Sequence, residues 1–376
     1  MGRNDRHLSS LQSHLGRMCF QGCGAIRGMM TGAQNWLALS DRGLCNDDPV
    51  PHALLDQGLF VMELALPLEP TTILLNHQAE DGWPRTFAVF HDGAAGLVLL
   101  HRQGQSVARH HLPGPLPLGS GVGRLCFHFD APARHWSLTF QMIIETGAAP
   151  DPARRLSACG SNPLPLRLAD MAALCAASAT KSAHPAVLWF GLTRGDAPPA
   201  RAPWVGQRTP VETTRGPVAA GHLTAGDIVL TLDDGPQPLT AVHRFDLPSK
   251  GSFAPILLRA PFFGQGQDLL ISSDQMIALA GSEVEYLFGE DEVLVEAGHL
   301  ADGRTALLDQ RRAVTASVAL EFANPALVLA DGCALLCAPM AQAATGPDTL
   351  PRRSLQGYEV LTLMALMGRS GRHRAA

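Results

Sequence analysis

The sequence predicts a mainly β protein built from two successive all-β modules, and three observations carry that prediction. First, 376 residues with 46% hydrophobic content exceed what a single small core can bury, so two domains are expected. Second, 37 glycines and 28 prolines beside only 17% charged residues suit many short strands joined by tight turns. Third, apolar residues alternate with period two. Leu125, Phe127 and Phe129 interleave with Cys126, His128 and Asp130, and Trp136, Leu138 and Phe140 repeat the pattern after the turn DAPAR.

Along the chain, residues 1–28 show neither alternation nor a helical stripe. They are expected to form a disordered extension, with the folded part beginning near Met29 or Met30. The first module, 29–195, opens on NWLALSDRGL and continues through LFVMELAL, TFAVFHDG, GLVLLHRQGQSVARHHL and the 124–143 hairpin. Five or more such strands in so short a span predict an antiparallel β-sandwich. Leu168, Met171 and Cys175 stand at helical spacing in LADMAALCAASATK, which predicts a short helix over 168–181. AVLWFGL then reads as a buried strand. The Pro- and Ala-rich stretch at 196–203 has nothing to bury and reads as a linker.

Composition excludes several function classes. A net charge of −5 and a pI near 6.3, without any block of Lys or Arg, argue against nucleic acid as a partner. The eight cysteines form no CxxC pair. Cys19–Cys23 and Cys333–Cys337 share an i,i+4 spacing without histidines placed to complete a zinc site, so free thiols and no metal or other cofactor are expected. The N-terminal segment lacks the roughly 7–15-residue apolar stretch of a secretory signal, and no run of about 18 apolar residues predicts a membrane span. These features leave a cytoplasmic location or secretion by a signal-less route.

The second module, 204–338, reads as strand, glycine turn, connector and strand. Val211–Thr213 precede the turn Arg215-Gly216-Pro217, Ile228–Leu232 form a buried strand, and Asp233-Asp234-Gly235-Pro236 supply turn chemistry. Thr209–Thr213, the Leu223…Gly226-Asp227 connector, Val229–Thr231 with Asp234–Pro238, DLLISSDQMIAL and LFGEDEVLV at 287–295 occur in the order seen in bacterial Hint (hedgehog/intein) domains, which this stretch resembles. The resemblance implies an all-β Hint fold with few short helices. A C-terminal tail with a short apolar helix or strand follows at 339–376.

Hint domains that process themselves begin on a Cys or Ser that attacks the preceding peptide carbonyl, while a histidine polarises that bond or moves its proton. If Thr209 takes the family's threonine, the nucleophile position falls on Trp204 and a glycine position on Arg208. Gln275 then stands at the histidine position of the second block, and Ala319 and Pro325 at two later histidine positions. An indole forms no ester or thioester, and an amide does not titrate near neutrality. No Cys or Ser occurs from 183 to 248 to rescue the site by a slip in register. The residues therefore weigh against an enzyme.

Other candidates have blander readings. Asp227 is expected to cap a turn, His299 to be a half-buried structural histidine, and Glu290, Asp291 and Glu292 to form a solvated acidic turn. The first module loosely resembles concanavalin-like and laminin-G-like, that is lectin-like, sandwiches. Trp83, in the polar turn EDGWPR, is the one aromatic placed for contact with a ligand, whereas Trp136 alternates with the core and is expected to be buried. The leading expectation is a Hint protein without self-processing that acts as a binding or structural scaffold toward a protein or a glycan. The alternatives are an autoprocessing protein and a glycan-binding module with a vestigial Hint domain.

Overall fold

The computed structural model describes residues 36–45, 53–116, 119–143, 155–176, 183–198, 203–339 and 352–374. The expectation for 1–28 lies outside these, as does half of the predicted linker, residues 199–202.

The N-terminal part is an antiparallel β-sandwich. One sheet has seven strands in the spatial order Arg155–Ser161, His135–Ile143, Gly121–Asp130, Gln57–Leu66, Val187–Thr193, Ala38–Leu39 and Gly43–Leu44. The other has four, Thr71–Ala79, Arg85–Asp92, Gly96–Gln103 and Ser106–Pro113, as a meander. The predicted hairpin is present in the register that its alternation demands, with Leu125 opposite Phe140 and Phe127 opposite Leu138. Phe60, Met62 and Phe190 of the first sheet meet Leu75, Phe87 and Leu99 of the second in one buried core. Helix α1, Leu168–Cys175, closes that core with Met171 and Leu174, and Ala176 already has extended dihedrals. The predicted extension of this helix to 181 therefore stops short: residue 176 leaves the helix, and 177–181 lie outside the described residues. Trp136 corrects a second expectation. It is half-buried at the margin of the inter-sheet core: the indole lies over Gly160 of the neighbouring edge strand, where a Cβ would collide with it, and meets His110 of the opposite sheet at 4.6 Å.

The C-terminal part has two further sheets. A six-stranded one runs Ala241–Pro248, Val314–Glu321, Val205–Gly206, Leu269–Ile271, Ile256–Leu258, Ala306–Leu308. A larger one contains Pro210–Thr213, Ile228–Thr231, Ala326–Ala330, Cys333–Cys337, Met276–Ala280 and Glu292–Glu296 among others. The connector after the first hairpin is a 3-10 turn, Ala220–His222, rather than strand. Helix α2 spans Ser282–Phe288 and ends on Gly289 in the left-handed region (φ 67°), a conformation that glycine adopts without strain. After a short parallel strand, Arg353–Ser354, helix α3 spans Gly357–Arg374 and lays Val360 and Leu363 into the same core as Val205, Ile271 and Val318.

The strand Gln57–Leu66 is buried on both faces. Phe60, Met62 and Leu64 point into the sandwich, while Leu59 and Val61 belong to a separate cluster that also holds Leu247, Phe253 and Ala319 of the C-terminal part. The two parts thus share an apolar seam on the outer face of the seven-stranded sheet.

Candidate functional site

Trp204 stands where the C-terminal part begins, one residue before the strand Val205–Gly206, whose Val205 lies between Val318 and Ile271. Its backbone is gripped at both ends by one residue. The Trp204 N–H donates to Ser272 Oγ (3.1 Å), and the Ser272 N–H donates to the Trp204 carbonyl (2.9 Å). Ser272 in turn accepts a bond from the Gln275 N–H at 3.2 Å, so Trp204 and Gln275 are joined through one turn of chain. The side chains diverge. Gln275 is buried, and its amide donates to the carbonyls of Leu336 (2.8 Å) and Met276 (3.1 Å), which occupies both of its protons in holding backbone.

The Trp204 ring is 4% exposed and packs in the seam with Ala319, Trp36 and Trp189. Thr209 is buried beside it in sequence, its N–H bonded to the Gly206 carbonyl (2.9 Å). Pro325 is only half-buried, in the turn between Val314–Glu321 and Ala326–Ala330. The structure therefore brings Trp204 and Ala319 into one apolar cluster and ties Gln275 to it through Ser272. Pro325 lies outside that cluster. Ser272 was not among the sequence candidates, and its spacing of three residues before Gln275 was the available signal.

A polar knot secures the same seam. Glu63, fully buried in the otherwise apolar LFVMELAL, accepts five hydrogen bonds. Oε1 takes Arg124 Nε (2.9 Å), Arg124 Nη2 (2.7 Å) and Ser252 Oγ (2.6 Å), and Oε2 takes Trp189 Nε1 (2.9 Å) and the Ser252 N–H (2.8 Å). A buried carboxylate is tolerated because every lone-pair direction is met and a guanidinium supplies the counter-charge. Ser252 belongs to the C-terminal part, and Phe253 next to it packs edge-on to Trp189 (5.2 Å) and beneath the Arg124 guanidinium (5.5 Å). Gly251 has φ +61°, and a Cβ there would collide with Glu63 Oε2. At the rim, Arg42 pairs with Asp246 at 2.8 Å, bridging the two parts again.

Trp83 is 45% exposed at one end of the sandwich. Its Nε1 donates to Gln103 Oε1 (3.3 Å), and the guanidiniums of Arg85 and Arg167 lie 5.2 and 5.4 Å from the ring centroid. Arg85 is itself buried, donating to Asp170 and to the backbone of the Asp81–Trp83 turn. Behind it, His77 and His101 line a small cavity with Asp170 and Met171. Burial holds the His77 imidazole below its usual range, and burial together with nearby His110 pushes His101 down to about 4, so both rings are neutral at pH 7.

The lesser candidates take structural places. Asp227 accepts from the Thr224 N–H (2.8 Å) and hydroxyl (3.0 Å), which together hold its carboxyl below the ordinary range. His299 lies against Gly357 at the start of α3. Glu292 pairs with Arg352 at 2.9 Å, and Glu290 and Asp291 flank it in an open depression. Among the described residues no three His, Cys, Asp or Glu side chains converge as metal ligands, and no helix is long and apolar enough to cross a membrane.

Comparisons with known proteins bear on the C-terminal part. A family model for the Hint domain matches residues 206–336, beginning two residues after Trp204. A search of curated proteins returned no match. Among solved structures, the LG1-3 region of the laminin alpha2 chain is similar at 9% identity with a TM-score of 0.28, over 80% of this chain and 55% of that one. Mouse laminin alpha1 chain, domains LG4-5, is similar at 10% identity with a TM-score of 0.22, over 86% and 84%. This chain spans about half the length of the first of these.

Proposed function

We propose that this Hint domain-containing protein does not process itself, and that its Hint domain serves as a scaffold clamped to the β-sandwich. The observation that carries the reading is the place of Trp204. At the position where a self-cleaving domain presents sulfur or oxygen to the preceding carbonyl, this chain presents an indole buried among residues of both parts. A nucleophile there has to reach about 3–3.5 Å from the carbonyl carbon with a proton acceptor at hand. Instead the peptide N–H is held by Ser272, and the Gln275 amide is spent on two backbone carbonyls. In a self-cleaving protein the N-terminal portion departs, whereas here it contributes Glu63, Arg124 and Trp189 to a shared seam.

The test is intact-mass spectrometry of the purified chain after overnight incubation with dithiothreitol. The full-length mass should be the only species. A fragment ending at Pro203 would overturn the proposal and establish autoprocessing.

A second reading, glycan binding by the sandwich, is favoured by Trp83 alone. Its ring is 45% exposed, yet fixed in place by Gln103 and two guanidiniums, so the part that remains open is held at little entropic cost. A glycan array probed with the full chain and with Trp83→Ala decides it. Binding lost in the variant supports the reading, and no binding by the parent chain removes it.

A further inference from the structure

The half-exposed ring of Trp83 is wired to the interior of the sandwich through Gln103. An indole N–H can only donate, and here it donates to Gln103 Oε1 (3.3 Å). That fixes which way the amide points. Gln103 Nε2, also a donor only, therefore faces His101 Nε2 at 3.2 Å, and the imidazole nitrogen has to be the acceptor. A single state of His101 satisfies this chain: a neutral ring with its proton on Nδ1. That Nδ1 is buried and has no hydrogen-bond partner among the described residues.

A second proton on His101 breaks the arrangement whichever way the amide turns. With Nε2 protonated, two donors face each other across 3.2 Å. If Gln103 flips to offer its oxygen to the imidazolium, its NH2 group meets the indole N–H, and two donors face each other there instead. The charged ring gains nothing elsewhere, since Nδ1 lacks an acceptor and the side chain lies edge-on to Phe87 at 5.9 Å in a 1% exposed position. The ionisable groups around it are mostly basic. Arg85, Arg102, Arg167 and His77 share its small cavity, and His110 stands on the next strand. Against them is the carboxylate of Asp170, which Arg85 already holds.

We propose that Trp83 is a gated contact: the neutral His101 imidazole lets Gln103 hold the indole in place, and protonation of His101 turns the amide away and frees the ring. The gate acts on the ring to which the glycan reading assigns contact, and as a control of sugar binding it rests on that reading. Burial and nearby His110 put His101 at about 4, so the ring is held at neutral pH and let go in acid.

The experiment is a pH titration of the isotope-labelled full-length chain by heteronuclear NMR, without sugar. It follows the Trp83 indole N–H signal, identified by its loss in Trp83→Phe. That signal should move to the position of a water-exposed indole with a midpoint at about pH 4, while those of the buried Trp36, Trp189 and Trp204 stay in place. His101→Gln offers Gln103 an acceptor that does not titrate, and should abolish the movement. Gln103→Glu, at a half-buried position, keeps an acceptor for the indole and gives an imidazolium its own, so the ring should stay held as the pH falls. A Trp83 signal that stays put while His101 titrates would overturn the gate. So would the parent's movement persisting in either variant, or unfolding of the whole sandwich before the signal moves. Because no sugar is present, failure here is distinct from failure of the glycan reading, which the array decides.

Discussion

Trp204→Ala is the perturbation that bears most directly on the scaffold reading. An indole buries about 150–250 Å², which at about 25 cal/mol per Å² corresponds to about 4–6 kcal/mol of apolar burial. Truncation of a buried tryptophan to alanine costs about 3–5 kcal/mol, because neighbours collapse only partly into the space left behind. The neighbours here are rigid: Trp36 and Trp189 pack edge-to-face at 5.5 Å, and Ala319 sits on a strand paired on both sides. Little relaxation is available, and the full range applies. Urea unfolding followed by far-UV circular dichroism should show the midpoint falling by an amount equivalent to about 3–5 kcal/mol. Since the seam joins two parts, the variant should also unfold in two separable steps and should be nicked faster by protease in the 194–203 stretch. A loss below about 1 kcal/mol, within the range of an ordinary surface substitution, would refute the claim that this ring holds the parts together.

Gly251→Ala should destabilise by more than about 2 kcal/mol, because the new methyl displaces the Glu63 carboxylate from its partners and sits at φ +61°; a melting temperature unchanged from the parent would contradict the role assigned to that knot. Acid should weaken the sandwich earlier than carboxylate titration would. Burial pushes both His101 and His110 down to about 4 in the folded protein against 6.5 in the unfolded chain, so the unfolded state binds more protons below pH 6.5. Stability is therefore complete above that pH and declines as pH falls toward 4, by up to about 2 kcal/mol per histidine at pH 5, measurable by urea titration at pH 7 and 5. Replacing both histidines with leucine should flatten that dependence. Trp204→Cys combined with Gln275→His should yield no thiol-dependent fragment, because Ala319 and Pro325 still lack proton-transfer groups; intact mass checks it.

The strands were legible where one face is wet. Leu125–Phe129 and Trp136–Phe140 alternate because one side of the hairpin contacts the core, and period two then announces both the element and its inward face. The strand Gln57–Leu66 was legible as a strand but not as a seam. A continuous apolar run says that both faces are covered without saying by what, and the partners of Glu63 stand far away at Arg124, Trp189 and Ser252. A lone acid inside such a run was the sole hint. The candidate positions Trp204 and Gln275 came from motif order, which conveys register along the chain. That order is silent on the indole turning toward the sandwich while the amide turns to the Leu336 carbonyl. Helix α3 was underestimated, because half of its apolar residues serve the core and half do not, which blurs any single stripe.

The doubly covered strand also has a consequence in time. The sandwich is complete once Thr193 has been made, but the surface that caps Leu59, Val61 and Trp189 waits for Phe253 and finally Ala319. About 126 residues separate Thr193 from Ala319, which at roughly 5–20 residues per second leaves that sheet face bare for about 6–25 s on the ribosome. Each nascent chain therefore passes through a stage in which a folded lobe displays a tryptophan-rich, sticky flank with an ion pair at its centre. Chaperone dependence and yield on expression should consequently be governed by this flank, more than by the cores that lie inside either lobe.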